Sequence, residues 1–463
     1  MKSFFFIFFL IQIISKILSN EEKYEEKIIY FPIQLHFNAF YSNIYLGEPE
    51  IKVLLPLDQE MQILWGDSGG YHSENSKTAK KINDTKISFR VYDFYGKTIS
   101  DKICLKNNID INKNEIVNET KNFYLDDFWF ITVGYIRGYD NRVGGIGLAY
   151  KFYDEKYSLI HQLKLKNLIS HLNYGFIPNS LINSYENNEN MDLNNVNNLN
   201  TKNKDGLVFF GGVPKNYIFN KYRYNCKLND KYNYWSCECP YVFFGEINKY
   251  NNSKNLYFKN ENYAYFNAAE RRILAPHDFI TFLKFNYFQE ALLNETCKYY
   301  MYGHNYLFEC NCDIRDKFPN ISFIFNNYKY SFTSSELFSE YGGGLCQFII
   351  QENHLRKNNF ALGTPFLQKF ISNFDYETKY ISFYSENKLD FIDIDELFHP
   401  SHILRYLMVF GGLLFLVGVY YLIRKKIDER KHKKDMLLKI KSKGKDKIRK
   451  MNDEEQGYEL DMN

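Results

Sequence analysis

The run VLLPLDQEMQILW, Val53 to Trp65, sets one carboxylate, Asp58, inside an apolar stretch. A charge there is costly unless it is paired, hydrogen-bonded or neutralised, so Asp58 is either a structural acceptor or a group built for proton chemistry. Directly after it comes GDSGG, Gly66 to Gly70, which has the Gly-x-Ser-x-Gly form of a serine nucleophile segment. A nucleophilic Ser68 needs a histidine base and an orienting carboxylate. His36 alone lies upstream, in QLHFNAF, and the alternating βα units of a hydrolase elbow are missing. Ser68 therefore reads as part of a turn. The pairs CEC (Cys237, Cys239) and CNC (Cys310, Cys312) raise the question of metal. Neither HExxH nor a pair of CxxC motifs accompanies them, so disulfides are expected, and no metal or cofactor.

The elements that must position these groups are mainly β. Short apolar runs such as FYSNIYLG, ISFRVYDFYG, DFWFITVGYI, GLVFFGG and YISFYS are divided by Gly, Asn, Asp and Lys. Helical spacing is confined to YSLIHQLKLKNLI and PHDFITFLKFNYFQEALL, the latter opening at Pro276. A segment from Asn183 to Gly206, rich in Asn, has too little apolar surface to pack and reads as a disordered surface insertion.

The formal net charge of +3 gives no sign of a nucleic-acid partner. Residues 1–19 carry a Lys, an apolar run from Phe4 to Ile14 and then small or polar residues, the pattern of a secretory signal. Tyr406 to Ile423 is uncharged over 18 residues; as a helix it reaches about 27 Å, enough for a bilayer core. The basic RKKIDERKHKK that follows predicts a type I orientation with the tail, residues 424–463, in the cytosol. The tail's basic stretch Lys433 to Lys450 suits a solvated positive flank or anionic headgroups. The eight cysteines all lie between Cys104 and Cys346, within the expected lumenal or extracellular part. Sequons at Asn83, Asn118, Asn251, Asn294 and Asn320 are compatible with that route as glycosylation candidates.

Taken in order, the segments resemble the pepsin family of aspartic proteases. FYSNIYLGEPEIKVLLPLDQEMQILW is similar to the family's first-lobe opening, with Asp58 seven residues before Trp65 where its Asp-Thr-Gly-Ser-Ser-x-Leu-Trp strand stands. GGIGLAYKF resembles Gly-Ile-Leu-Gly-Leu-Ala-Tyr, and DGLVFFGGVPKNYI resembles Gly-x-Leu-x-Phe-Gly-Gly-x-Asp-x-x-x-Tyr. AYFNAAERRILAP resembles the second-lobe Asp-Thr-Gly-Thr-Ser strand, with Asn267 at the Asp position nine residues before Pro276. FPNISFIFNNYKYSF and NFALGTPFLQKFISNFDYETKYISF resemble the closing hairpin and the Trp-Ile-Leu-Gly-Asp-x-Phe ending. The C-terminal span, the aromatic composition and the Asn-rich insertion most resemble a membrane-anchored, plasmepsin-like branch.

The resemblance implies a bilobal pepsin-like fold with a few short helices plus one C-terminal transmembrane helix. It divides the chain into a first lobe at 20–217, with the insertion at 183–204, a second lobe at 218–390, a juxtamembrane stretch at 391–405 and the span at 406–423. It also implies a catalytic dyad at Asp58 and Asn267 in which the second position is degenerate. An Asn amide binds water or a carbonyl but cannot cycle a proton. Gln59 and Ala268 stand where threonines lock the two loops, and Glu60 and Ala269 replace glycines. Glu60 could serve as a substitute carboxylate, although a loop position in a remodelled turn is the simpler reading. The flap, with Tyr92 or Tyr95 as its tyrosine, is expected to be reduced. About 17 residues separate the expected cleavage site from the first lobe, short for an inhibitory propeptide. Cys310 or Cys312 is expected to bridge to Cys346, and Cys226 to Cys237 or Cys239. The function that follows is a membrane-tethered pseudoprotease whose cleft, including Trp65, binds a peptide or protein in the secretory pathway or at the surface. The alternative is an active endopeptidase using Asp58 with a non-standard partner.

Overall fold

The computed structural model describes residues 26–36, 38–59, 65–67, 71–89, 92–107, 121–137, 144–151, 154–181, 205–247, 256–259, 263–302, 305–353, 359–394 and 402–458. The expected signal segment, the insertion at 183–204, Glu60 and Ser68 lie outside them. The chain forms two units, Met1–Ile392 and Asp393–Asn463.

The first unit is mainly β, as its short apolar runs predict. Its largest sheet has thirteen strands, from Tyr222–Lys227 at one edge to Lys80–Phe89 at the other. Strand character follows burial. Ala39–Leu46 alternates between buried and half-buried positions, whereas Asn173–Pro178 and Gly206–Phe210 are buried throughout and read as continuous apolar runs. Gly175 is required in the middle of this platform. A Cβ there would sit 1.9 Å from the Ser372 carbonyl oxygen and 2.4 Å from the Phe209 ring. Strands from both ends of the unit meet here, since Asn173–Pro178 pairs with Ile371–Asp375 as well as with Gly206–Phe210. The core beneath is aromatic, with Tyr174 stacked on Phe374 at 5.0 Å and Trp235 edge-on to Phe374 at 5.4 Å.

One four-strand arrangement occurs twice. Ile51–Asp58 pairs in parallel with Gly144–Gly147, which pairs antiparallel with Trp65–Asp67, which pairs in parallel with Lys121–Arg137. Far along the chain, Tyr263–Phe266 pairs in parallel with Phe360–Leu362, which pairs antiparallel with Ile273–Ala275, which pairs in parallel with Ile350–Glu352. Order and polarity agree strand for strand. In both copies a residue singled out from sequence stands at the end of the first strand: Asp58 is the last residue of one, and Asn267 directly follows the other.

The hairpin expected to be reduced is not short. Lys80–Phe89 and Tyr92–Asn107 pair up to Phe89↔Tyr92, and Gly96 and Asp101 lie in its second strand.

Three disulfides form: Cys226–Cys237, Cys297–Cys310 and Cys312–Cys346. Among the alternatives left open by the sequence, Cys312 rather than Cys310 reaches Cys346. Cys310 lies directly opposite Cys297 on adjacent antiparallel strands and bonds there, a partner the spacing did not suggest. Cys239 is not the partner of Cys226. Cys239 and Cys104 are buried thiols outside any disulfide, so the even cysteine count did not mean four bridges. Burial first, and the nearby Glu50 carboxylate second, push the Cys104 thiol up to about 11.

The second unit contains the helix His402–Tyr458. Among the described residues no helix is long and apolar enough to cross a membrane. The expected span falls partly on residues 406–409, whose side chains lie outside the described set, while the side chains from Phe410 to Ile423 are exposed.

Candidate active site

Asp58 is placed by the strand pairing that ends on it, Asp58 opposite Gly147, and by the Leu148 N–H, which donates to the Asp58 carbonyl at 2.9 Å. Its residue is 1% exposed. Asn267, 0% exposed, is fixed by its backbone at the end of the corresponding strand. Its own N–H donates to Leu362 O at 3.2 Å, and the Glu270 N–H closes a turn onto Asn267 O at 3.1 Å.

The two halves are tied to each other by reciprocal bonds. The Gln59 N–H donates to Asn267 Oδ1 at 3.3 Å, and the Ala268 N–H donates to Gln59 Oε1 at 2.7 Å. The Ala268 carbonyl accepts from the Phe40 N–H at 2.9 Å and from Thr364 Oγ1 at 3.0 Å. Gln59 and Ala268, where the resemblance expects locking threonines, still tie the two loops together. Gln59 is long enough to carry its amide oxygen across and accept the N–H that would otherwise be orphaned.

Asn267 Oδ1 also accepts the Ala269 N–H at 3.0 Å. Two backbone donors converge on one atom, which fixes the orientation of the amide: turned over, its NH₂ would face two N–H groups. The oxygen has both lone pairs engaged, and the amide neither takes up nor gives up a proton at accessible pH. The residue that stands at the corresponding strand end to Asp58 is thus an amide and not a carboxyl.

Behind Asp58 the frame is stiff. The Leu148 carbonyl accepts from Trp235 Nε1 at 2.8 Å, Tyr174 OH at 3.1 Å and Tyr376 OH at 3.2 Å. Burial pushes both phenols well above their ordinary range. The same residue whose N–H holds the Asp58 carbonyl is thus pinned to the aromatic core. Among the described residues the buried Gln59 Nε2 has no hydrogen-bond partner by geometry, although it lies close to the Tyr174 phenol.

Of the other residues singled out from sequence, Ala268 and Ala269 lie in the Asn267 turn. Trp65 and Tyr92 lie in strands, with side chains outside the described set. Tyr95 is half-buried, paired across the hairpin with Lys86, whose ammonium lies 5.2 Å from the ring centroid. Sequence reading missed Leu148, Trp235, Tyr174 and Tyr376, which act through burial rather than through a motif. It also missed Thr364, although a signal existed, since Thr364 stands where the resemblance expects Asp in Leu-Gly-Asp. Asn83, Asn294 and Asn320 are exposed, while Asn118 and Asn251 fall outside the described residues. Among the described residues one cluster has metal-ligand spacing, Cys312, Glu340 and Cys346, and its two sulfurs are joined to each other.

No curated protein matches the chain. Residues 192–385 match the family model for eukaryotic aspartyl protease, a stretch that includes Asn267 and excludes Asp58. The mainly β architecture around it is consistent with a pepsin-like domain.

Proposed function

We propose that the chain is a pepsin-like aspartyl-protease relative with a broken catalytic dyad, which holds peptide or protein segments without cleaving them. The observation that carries this reading is Asn267: buried, isosteric with Asp, and with its amide oxygen held by the Gln59 and Ala269 N–H groups. Such an amide can support a water or a carbonyl but cannot exchange the proton that hydrolysis needs. General acid–base catalysis supplies about 10²–10⁴-fold in rate, so the loss is large. The intact reciprocal bonds between the two loops support a site kept in shape after chemistry was lost. In the test, the full-length protein is immobilised and exposed to a mixed peptide library at acidic and neutral pH. Retained peptides are expected to elute with unchanged masses; retention no greater than on a blank support would end the binding reading.

We further propose a secretory route and a single span at 406–423, with a plasmepsin-like membrane-anchored arrangement. The uncharged run and the exposed side chains from Phe410 to Ile423 support it. After alkaline carbonate washing the chain should stay with the membranes; its release into the supernatant would contradict the span.

A further inference from the structure

The turn that holds Asn267 runs straight into Glu270, Arg271 and Arg272. The back of this segment is filled. A Cβ on Gly363 would lie 2.3 Å from both the Glu270 and Arg272 carbonyl oxygens, and the Thr364 N–H donates to Glu270 O at 2.8 Å. The Arg272 side chain instead reaches Gln347, with its Nη2 donating to Gln347 Oε1. Gln347 and its register partners Glu309 and Ser339 are half-buried and alternate along their strands with the buried Cys346, Phe348, Phe308, Cys310 and Phe338. The polar face of that sheet is therefore the one Arg272 touches.

Glu309, the carboxylate nearest Gln347 in register, is engaged elsewhere. Tyr300 OH donates to it at 2.8 Å, and hydrogen bonds from Tyr341 and Tyr300 lower its pKa. Among the described residues the guanidinium of Arg272 has a neutral amide as its hydrogen-bond partner. It is half-buried, and desolvation holds its pKa below the ordinary arginine value, with Glu270 acting against this and Arg271 with it. A guanidinium presents five donors in a fork that fits a carboxylate, and one amide oxygen uses few of them. Arg271 and Arg272 against Glu270 leave the segment net positive.

We propose that Arg272 forms an anion subsite beside the Asn267 half of the site, taking the carboxylate of an acidic residue in a bound peptide. The inference rests on the peptide-binding reading above and adds a ligand class to it. Its position follows from the sheet. Asn267 follows one strand and Arg272 precedes another, with Phe360–Leu362 between them. Two strand spacings put the strand ends roughly 10 Å apart, and an extended peptide rises about 3.3 Å per residue. The acidic residue should therefore lie about three positions from the residue over Asp58 and Asn267.

The test uses full-length protein and fluorescent nonapeptides in which one position at a time carries Glu or Gln, with binding read by anisotropy. At one position the Glu peptide should bind about tenfold more tightly than its Gln twin. The Glu/Gln ratio should fall to about one in Arg272→Gln and stay well above one in Arg272→Lys, which keeps the charge. Equal affinities in the wild type, or a preference that survives Arg272→Gln, would overturn the subsite. If no peptide binds at all, the peptide-binding reading fails by itself. The subsite is then read from thermal shifts with N-acetylglutamate against N-acetylglutamine, where a shift confined to the former and lost in Arg272→Gln is expected, and equal shifts overturn it.

Discussion

The Asp58 half and the Asn267 half of the site are built on the same strand arrangement and differ in opposite ways. The first has a carboxylate followed by a long neighbour, Gln59. The second has an amide followed by a small neighbour, Ala268. The differences complement each other across the junction. Gln59 supplies the acceptor that Ala268 lacks a side chain to reciprocate, and Asn267 Oδ1 accepts the Gln59 N–H. Two loops on matching strand arrangements thus bond to each other while carrying different groups, a carboxyl on one and an amide on the other. Structural and chemical demands on the same residues separate here.

The largest break in the comparison should come from Gly363→Ala. The added Cβ meets two backbone oxygens that cannot move aside cheaply, so the second half alone is distorted, at a cost of about 3 kcal/mol or more. Chemical denaturation should show it as a large drop in midpoint.

Next come the two sides of the junction. Asn267→Ala leaves the Gln59 and Ala269 N–H groups without their acceptor, while Gln59→Ala leaves only the Ala268 N–H. At about 1–3 kcal/mol for each buried group left unpaired, Asn267→Ala should be the more damaging. The double variant should cost less than the sum, since the pair shares one network. Additive losses would mean the two halves are not coupled.

Much of this was legible in the sequence, and the residues explain why. Asp58 and Asn267 stood out because a lone polar group at the end of an apolar run is rare and because each keeps a fixed distance to Trp65 or Pro276. The strands were legible because burial imposes period-two or continuous apolar patterns. The function of Gln59 was not, since whether a long amide turns outward or crosses to another loop depends on a contact 209 residues away. The same holds for the Leu148 carbonyl, whose three donors come from Tyr174, Trp235 and Tyr376. The Cys226–Cys237 and Cys312–Cys346 bridges lie within the expected alternatives, whereas the Cys297–Cys310 bridge was not foreseen for a similar reason, because those two cysteines become neighbours only once two strands are in register.

Asn267→Asp sharpens the comparison by restoring a second carboxyl. Two neighbouring carboxyls cannot both ionise easily, so the native state should hold one proton more than the unfolded chain between about pH 4 and the raised folded pKa. Because the native state binds that extra proton, stability relative to the wild type should be greatest in acid and fall as pH rises through this window. A variant whose stability tracks the wild type at every pH would show that the two positions do not interact.

The smallest effect is expected away from both halves, at Glu336, whose carboxylate caps a short helix at Thr333 and accepts from Lys369 Nζ at 2.7 Å. Burial pushes this carboxyl up, but the Lys369 ammonium and the Thr333 groups outweigh it and leave its pKa lowered. A lowered pKa gives stability that is present above the ordinary carboxylate range and lost as pH falls below it. Glu336→Gln should therefore cost under about 1 kcal/mol at pH 7, given its exposure, and nothing near pH 2.

The central claim is that the site retains its architecture without its proton relay. The most direct measurement is peptide cleavage by the full-length protein from pH 3 to pH 7, read by mass spectrometry beside Asp58→Ala. The account predicts the same background rate for both proteins across the range. Cleavage by the wild type with a pH optimum, abolished in Asp58→Ala, would contradict it.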